Sequence, residues 1–487
     1  MEVSEADQKT GKLKTSWESD LLIVLRERES RSQGEGAEVN TKPAKETLTE
    51  HEGTGDSANL PVGNSEQAST DKRYRFRNLY RELNEELLLD SWRLLRKDAA
   101  LGVDRVSAAE YEANLEENIQ QLVERLKRKS YRAKLVRRHY IPKGDGGKRP
   151  LGIAATEDKL LQLAVKRLLE AIYEADFLSC SYGYRPQVGA LEAVDQLTVK
   201  LQFGAYHQVV EADIRGFFDN LSHEWLMRML AERIDDEPIL RLIKKWLKAG
   251  VLDTDGQVLR PEGGTPQGGI ISPLLANVYL HYALDLWFER VFQQSCKGQA
   301  FLHRYADDFV CGFEQVADAE RFYSELGERL RKFGLELAAA KTRVIPFSRK
   351  RLGETSFDFL GFEFRWGTDR KGQARLKRRT ARKKFRNSIK RAAEWCKQNR
   401  HLRLTEQFRL LSSKLRGYYN YYGVNGNYES LNEFYHLVQG LQLKWLNRRS
   451  QLPSHTWESY YALRQHFALV RPYIVGRPKS CLVRGRR

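Results

Sequence analysis

The clearest hydrophobic period in this chain lies toward its C-terminal end. Phe408, Leu411, Leu415 and Tyr419 recur at i, i+3, i+7 and i+11, and Leu431, Phe434, Val438, Leu441 and Trp445 follow the same rule, so each set lines one face of a helix. Arg378 to Gln398 has helix-forming composition and predicts a third member, the three packing as a small bundle ended by Gly417 and the Gly423 to Gly426 turn region. Upstream, residues 131–365 alternate hairpin patterns with helical stretches at Lys159 to Tyr173, Glu237 to Lys248 and Ala317 to Phe333, which predicts an α+β domain. Ahead of it, Asn78 to Ala99 and Ala108 to Lys129 read as helices joined by a Gly102-Val103-Asp104 turn.

Two places in the α+β pattern put acids where apolar residues dominate. Phe301 to Phe313 reads as a hairpin with Asp307 and Asp308 at its tip, flanked on both sides by aromatic and aliphatic residues. Adjacent carboxylates repel, and holding them on a tight turn becomes favourable when a multivalent cation sits between them and a phosphate. Val209 to Asp213 reads as a β-branched strand that ends on a third acid and turns over Gly216. Carboxylates converging from separate strands are what a pair of catalytic metal ions needs. Asp219, a few residues on, reads as the N-cap of a helix over Leu221 to Leu230.

In order with these acids run Tyr140 to Ile153 (YIPKGDGGKRPLGI), Ser181 to Pro186 (SYGYRP), Gly264 to Asn277 (GTPQGGIISPLLAN), Lys341-Thr342 and Phe357 to Phe362 (FDFLGF). The whole series resembles the reverse transcriptases encoded by group II introns. The resemblance implies a right-hand polymerase, with fingers and palm over 131–365, a helical extension over 73–130 and a helical thumb or maturase region over 366–450. Residues 1–72 are then an acidic, largely disordered extension and 451–487 a basic tail. The family's two Mg²⁺ ions fall to Asp213, Ile214, Asp307 and Asp308, with Asp213, Asp307 and Asp308 catalytic. Lys143 and Arg149 flank a glycine turn that would close on an incoming triphosphate; Gln267 approaches the nucleotide and template base. Phe218 stands where a ring excludes a ribose hydroxyl, Lys341 faces the departing pyrophosphate, and Phe359, Leu360 and Gly361 form the primer grip. Ala155, Tyr184 and Arg105 depart from the family's usual proline, phenylalanine and glycine. An endonuclease with paired cysteines is not expected, and the last residues form a basic tail.

Charge points to the partner. The chain of 487 residues carries a formal +18, which indicates a polyanion, and 41% hydrophobic content is enough for real cores. Residues 1–71 hold 8 basic against 15 acidic side chains, whereas 371–416 hold 17 basic and 2 acidic. Residues 31–71 lack aromatics and read as a disordered linker, with a short helix expected at Leu13 to Glu29. Like charges along a helix repel unless phosphates neutralise them, so Arg378, Arg379, Arg382, Lys383 and Lys384 are expected to bind RNA. No apolar run spans a membrane, and the five cysteines form no CxxC pair. A reduced bacterial cytoplasmic protein, associated with nucleoid or ribonucleoprotein, is expected, with deoxynucleotides, structured intron RNA and a DNA primer or target as partners. Two further readings stand beside a polymerase that also assists splicing: a stand-alone relative used in defence or repair, and a splicing cofactor without chemistry.

Overall fold

The computed structural model describes residues 62–142, 147–451 and 454–475. The expected helix at Leu13 to Glu29, Lys143 of the glycine turn and the end of the basic tail beyond residue 475 lie outside them. The chain divides into two compact units, one reaching from the N-terminal side to Gly189 and resuming over Val209–Val344, the other made of Ala190–Gln208 and everything from Ile345. The strands of the described residues are, in chain order, β1 (Val136–Pro142), β2 (Lys148–Ile153), β3 (Gln208–Asp213), β4 (Val251–Leu252), β5 (Val258–Leu259), β6 (Ala300–Tyr305), β7 (Asp308–Phe313), β8 (Arg343–Pro346), β9 (Ser356–Phe359), β10 (Phe362–Thr368) and β11 (Ala374–Thr380). They form three sheets, ordered β2-β1-β4-β5, β6-β7-β3-β8 and β11-β10-β9. No helix of the described residues is long and apolar enough to cross a membrane.

In the first unit, the helix Thr156–Tyr173 is buried on nearly every face, its polar Asp158, Gln162, Arg167 and Glu170 included, and Leu160, Leu161, Ala164 and Val165 have no exposure. A helix buried on that many faces is central, and the helices Glu85–Leu94, Leu115–Lys127 and Ser272–Leu280 belong to the same core. The expected helix at Asn78 to Ala99 begins only at Glu85, because the Asn84 side chain accepts the Leu87 amide and caps it there. That over Ala108 to Lys129 is broken into Ala108–Glu112 and Leu115–Lys127. Asp219 is not the cap of its neighbour: the helix runs His223–Ala231, and the Ser222 side chain accepts from Trp225. Residues 62–70, expected as disordered linker, form a helix whose Ala68 is buried. Arg233, itself paired with Asp176 at 2.8 Å, donates to the carbonyls of Asp71 and Tyr74 and fixes that segment.

Asp158 is buried on the central helix, accepting from the Tyr131 hydroxyl at 2.5 Å and the Lys134 amide at 3.0 Å. Burial outweighs these bonds and pushes its carboxyl up from 3.8 to about 6. The folded chain therefore holds this proton to higher pH than the unfolded chain, so its contribution to stability is lost as pH rises from about 4 through 6. Denaturation at pH 7 and pH 5 should show wild type gaining about 1 kcal/mol, relative to Asp158→Asn, at the lower pH. An equal response in both proteins would contradict the assignment.

In the second unit, β9 and β10 are joined by the two-residue turn Leu360-Gly361, with φ of +49° and +82°. Positive φ at both central positions matches the twist of a tight hairpin, though leucine adopts it only under strain. Phe357, Phe359, Phe362 and Phe364 are buried, so this segment is both a turn and a core strand pair. The helices Arg382–Gln398, Leu404–Tyr422 and Tyr428–Leu446 share a core with Trp457–His466, centred on Phe408, Leu411, Leu415 and Tyr419. Two expectations are corrected. Gly417 does not end a helix but lies inside Leu404–Tyr422, carried through by the apolar stripe on either side of it. Arg378 and Arg379 belong to β11, not to a helix: Arg378 is buried against Asp195 at 2.5 Å, and Arg379 forks onto Glu363.

Candidate active site

The strand order β6-β7-β3 sets the end of β3 beside the start of β7, and so brings Asp213 next to the hairpin carrying Asp307 and Asp308. β6 and β7 pair from Ala300↔Phe313 to Tyr305↔Asp308, leaving Ala306 and Asp307 as the tip. Ala306 has φ +57°, a left-handed conformation that a residue with a Cβ keeps only when its surroundings impose it.

Those surroundings are built around Arg304. Its guanidinium has no exposure and all five donors are used. Nε and Nη2 fork onto Asp285 at 2.7 and 2.5 Å, Nη1 reaches Asn277 Oδ1 and the Ala306 carbonyl, both at 3.0 Å, and Nη2 also donates to Ser181 Oγ at 2.7 Å. Asp285 closes a π-helical segment, His281–Asp285, after the helix Ser272–Leu280. Asn277 donates in turn to the Gly183 carbonyl at 2.6 Å. A side chain at Gly183 would collide with the Ala306 amide nitrogen, so the loop lies directly against the tip and tolerates only glycine. Arg185 pins the same loop to Glu174.

The acids open onto a cleft of about 510 Å³. Asp213, Ile214, Asp307, Phe218, Gln267, Arg149 and Lys341 all line it, seven of the residues expected from the sequence. Asp308 is half-buried at the first position of β7. Phe217 is buried in the core and packs edge-on against Phe218 at 5.4 Å, which leaves Phe218 as the half-buried ring at the cleft. The Gln267 side-chain oxygen is buried without a hydrogen-bond partner, while its backbone carbonyl accepts from the Gly152 amide at 2.6 Å. Lys341 pairs with Asp213, and that hydrogen bond, ahead of any other influence, raises the lysine's pKa.

Asp307 is pushed upward, first by burial and then by the negative charge of Asp213. Two carboxylates that repel across an all-oxygen donor set suit a hard divalent cation. Among the described residues no three His, Cys, Asp or Glu side chains group closely enough to hold a metal as they stand. Phe359, Leu360 and Gly361 lie in the second unit, where the Tyr421 hydroxyl donates to the Leu360 carbonyl at 2.8 Å. Arg382, Lys383 and Lys384 are exposed at the start of their helix.

Sequence reading missed the Arg304 network. A lone cation in an otherwise apolar strand was its only signal, since Asn277 and Asp285 are remote in sequence. Tyr184 stood out in the sequence only as a departure from the family's usual phenylalanine; it lies at φ +59°, and its ionisation is disfavoured chiefly by burial and then by the nearby Asp307.

Residues 141–364 match the family model described as reverse transcriptase (RNA-dependent DNA polymerase), which defines the class of enzyme. Over 415 residues the chain is 32% identical to the group II intron-encoded protein LtrA of Lactococcus lactis subsp. cremoris, covering 68% of this chain and 67% of that one. It is 34% identical over 277 residues to protein YkfC of Escherichia coli K12, covering 50% of this chain and 72% of the relative. The chain thus belongs to the reverse transcriptases of the group II intron-encoded family, and RNA template and nucleotides are its substrates.

Proposed function

We propose that the chain makes DNA on an RNA template in the Asp213–Asp307 cleft with two magnesium ions, and that its second unit binds and helps fold the RNA of a group II intron. The observation that carries the first part is the meeting, at one cleft, of the acids with Phe218, Gln267, Arg149 and Lys341. Asp213, Asp307 and Asp308, with the backbone at Ile214, are the residues that would hold the cations. When bound, these ions lower the pKa of the attacking primer hydroxyl and offset charge on the leaving pyrophosphate.

The remaining roles belong to side chains. Arg149 neutralises the triphosphate from the fingers strand β2, with Lys143 as its companion across the glycine turn. Lys341 leaves Asp213 for the departing pyrophosphate, as counter-charge or general acid. The unpartnered Gln267 oxygen accepts from the nucleotide or template base, as a buried acceptor has to be satisfied. Phe359, Leu360 and Gly361 hold the primer end, and the strained Leu360 turn supports that role.

Phe218 excludes a ribose by volume. Phe218→Ala should therefore lower the preference for deoxynucleotides over ribonucleotides by at least about tenfold, or about 1.4 kcal/mol, in single-nucleotide extension. An unchanged ratio would move the gate elsewhere in the cleft, since Phe217 is committed to the core.

The intron role rests on the exposed cations Arg382, Lys383 and Lys384 at the head of a helix that continues basic along its length. Arg378 is excluded from this surface by its buried pairing with Asp195. RNA shape is recognised through phosphates and 2′-hydroxyls, which needs no catalytic acid. The doubly substituted Asp307→Ala/Asp308→Ala protein should still accelerate splicing of the intron surrounding its gene at low Mg²⁺. Absence of acceleration by the wild type would reject the splicing role and leave a stand-alone polymerase.

A further inference from the structure

The helices Arg382–Gln398, Leu404–Tyr422 and Tyr428–Leu446 leave between them a cleft of about 350 Å³, far from fully filled by their shared core. Its walls are aromatic, with Trp395 from the first helix and Tyr418 and Tyr422 from the second. Tyr418 is backed by Phe434, with ring centroids 3.8 Å apart and planes at 15°, so a flat, rigid surface is already assembled there. At the rim stand two exposed cations, Arg391 and Lys414, and the Lys414 ammonium sits 5.6 Å from the Trp395 ring. The volume is that of a small-molecule site.

Gly417 gives the second observation. It lies in the interior of the helix Leu404–Tyr422, where glycine costs about 1 kcal/mol relative to alanine. Neither usual reason for a glycine operates: its backbone is ordinary right-handed helix, and an added Cβ would meet no atom within 4 Å. Nothing within the chain crowds this position. The open backbone at the edge of the cleft is available for close approach from outside.

The ligand has to satisfy both the walls and the rim. An apolar peptide side chain would use the rings and leave two cations idle, and an isolated anion would use the cations and leave the rings. A nucleotide uses both, stacking its base on an aromatic plane while its phosphate takes the cations. The same first helix carries exposed Arg382, Lys383, Lys384, Arg386 and Lys390, so the strand that brings the nucleotide is a polyanion. We propose that this cleft receives one unstacked nucleobase from a bulge or single-stranded stretch of RNA, with its phosphate between Arg391 and Lys414 and its sugar passing over Gly417. This proposal rests on the reading that the bundle binds RNA, and it goes further by making one unpaired nucleotide the feature recognised.

The test uses the full chain and three fluorescent hairpins: an RNA with a single-nucleotide bulge, the same RNA fully paired, and the bulged sequence as DNA. Wild type should bind the bulged RNA about tenfold more tightly than the paired one, as expected for one stacked base. A 2-aminopurine at the bulge should be quenched on binding. Gly417→Ala should reduce the bulge preference to about twofold or less while its melting temperature equals or exceeds that of wild type, because alanine favours the helix. Arg391→Gln with Lys414→Gln should reduce it too. If bulged and paired RNA bind equally to wild type, if Gly417→Ala keeps the preference, or if only the DNA bulge is preferred, the cleft is no RNA nucleotide site, although the bundle remains an RNA-binding surface. If none of the hairpins binds, the bundle reading fails, and this proposal with it.

Discussion

Asp307→Ala and Asp308→Ala should each reduce cDNA synthesis by on the order of 10³-fold, the scale of losing one preorganised electrostatic group from a transition state. Affinity for RNA should stay near wild type, because a carboxylate offers nothing attractive to a phosphate backbone. The two readouts diverge for a structural reason. Asp307 sits half-buried at the hairpin tip, where the negative charge of Asp213 acts on it, so its removal relieves repulsion in the free protein and is not expected to loosen the fold. Primer extension on an RNA template, paired with filter binding, separates the outcomes. Extension close to wild type in either variant would remove that acid from the metal site.

The second large effect lies one step behind the acids. Arg304→Met should destabilise the first unit by about 3–5 kcal/mol, because it strands the Asp285 carboxylate without its partner in the core. Asp285→Asn keeps the shape and one acceptor but leaves the buried guanidinium without its counter-charge, so it is destabilised too, and its activity is to be read well below its own melting temperature. In that variant the grip of Arg304 on Asn277, Ser181 and the Ala306 carbonyl is weakened, while every residue facing the cleft is untouched. Its extension rate should fall and its Mg²⁺ requirement should rise, with nucleotide preference unchanged. A normal Mg²⁺ requirement in Asp285→Asn would make the network a core contact with no say in the geometry of the tip.

The acids were legible in the sequence because strand alternation exposes an intruder: three carboxylates among β-branched and aromatic residues break a pattern that apolar side chains otherwise keep. Chain order also anticipated the cleft, since Ile214 follows Asp213 directly and Phe218 stands five residues on, and Gln267 precedes the helix whose Asn277 accepts from Arg304 of the hairpin. Partnership across long separations was not legible. Counting charges cannot distinguish Arg378, buried against a carboxylate 183 residues away, from exposed Lys383 five positions on. Arg304 shows the same limit, as its four anchors come from three separate segments. Local ambiguity accounts for the helix starts. Asp219 and Ser222 are both good caps, and only the backbone path decides between them. Gly417 reads as a breaker from composition, yet the Leu411, Leu415 and Tyr419 stripe buries enough area to carry the helix past it. Arg105, at φ +57°, occupies a left-handed position where the family's usual glycine would be at ease.

The most direct test of the central assignment is extension of a DNA primer annealed to an RNA template by the purified full-length chain, with deoxynucleotides and a Mg²⁺ titration. The expected product is full-length cDNA that depends on Mg²⁺, disappears with chelator and is lost in Asp213→Ala as it is in Asp307→Ala. Template-directed synthesis that persists without divalent cation, or a wild-type chain that extends no primer on RNA under these conditions, would contradict it.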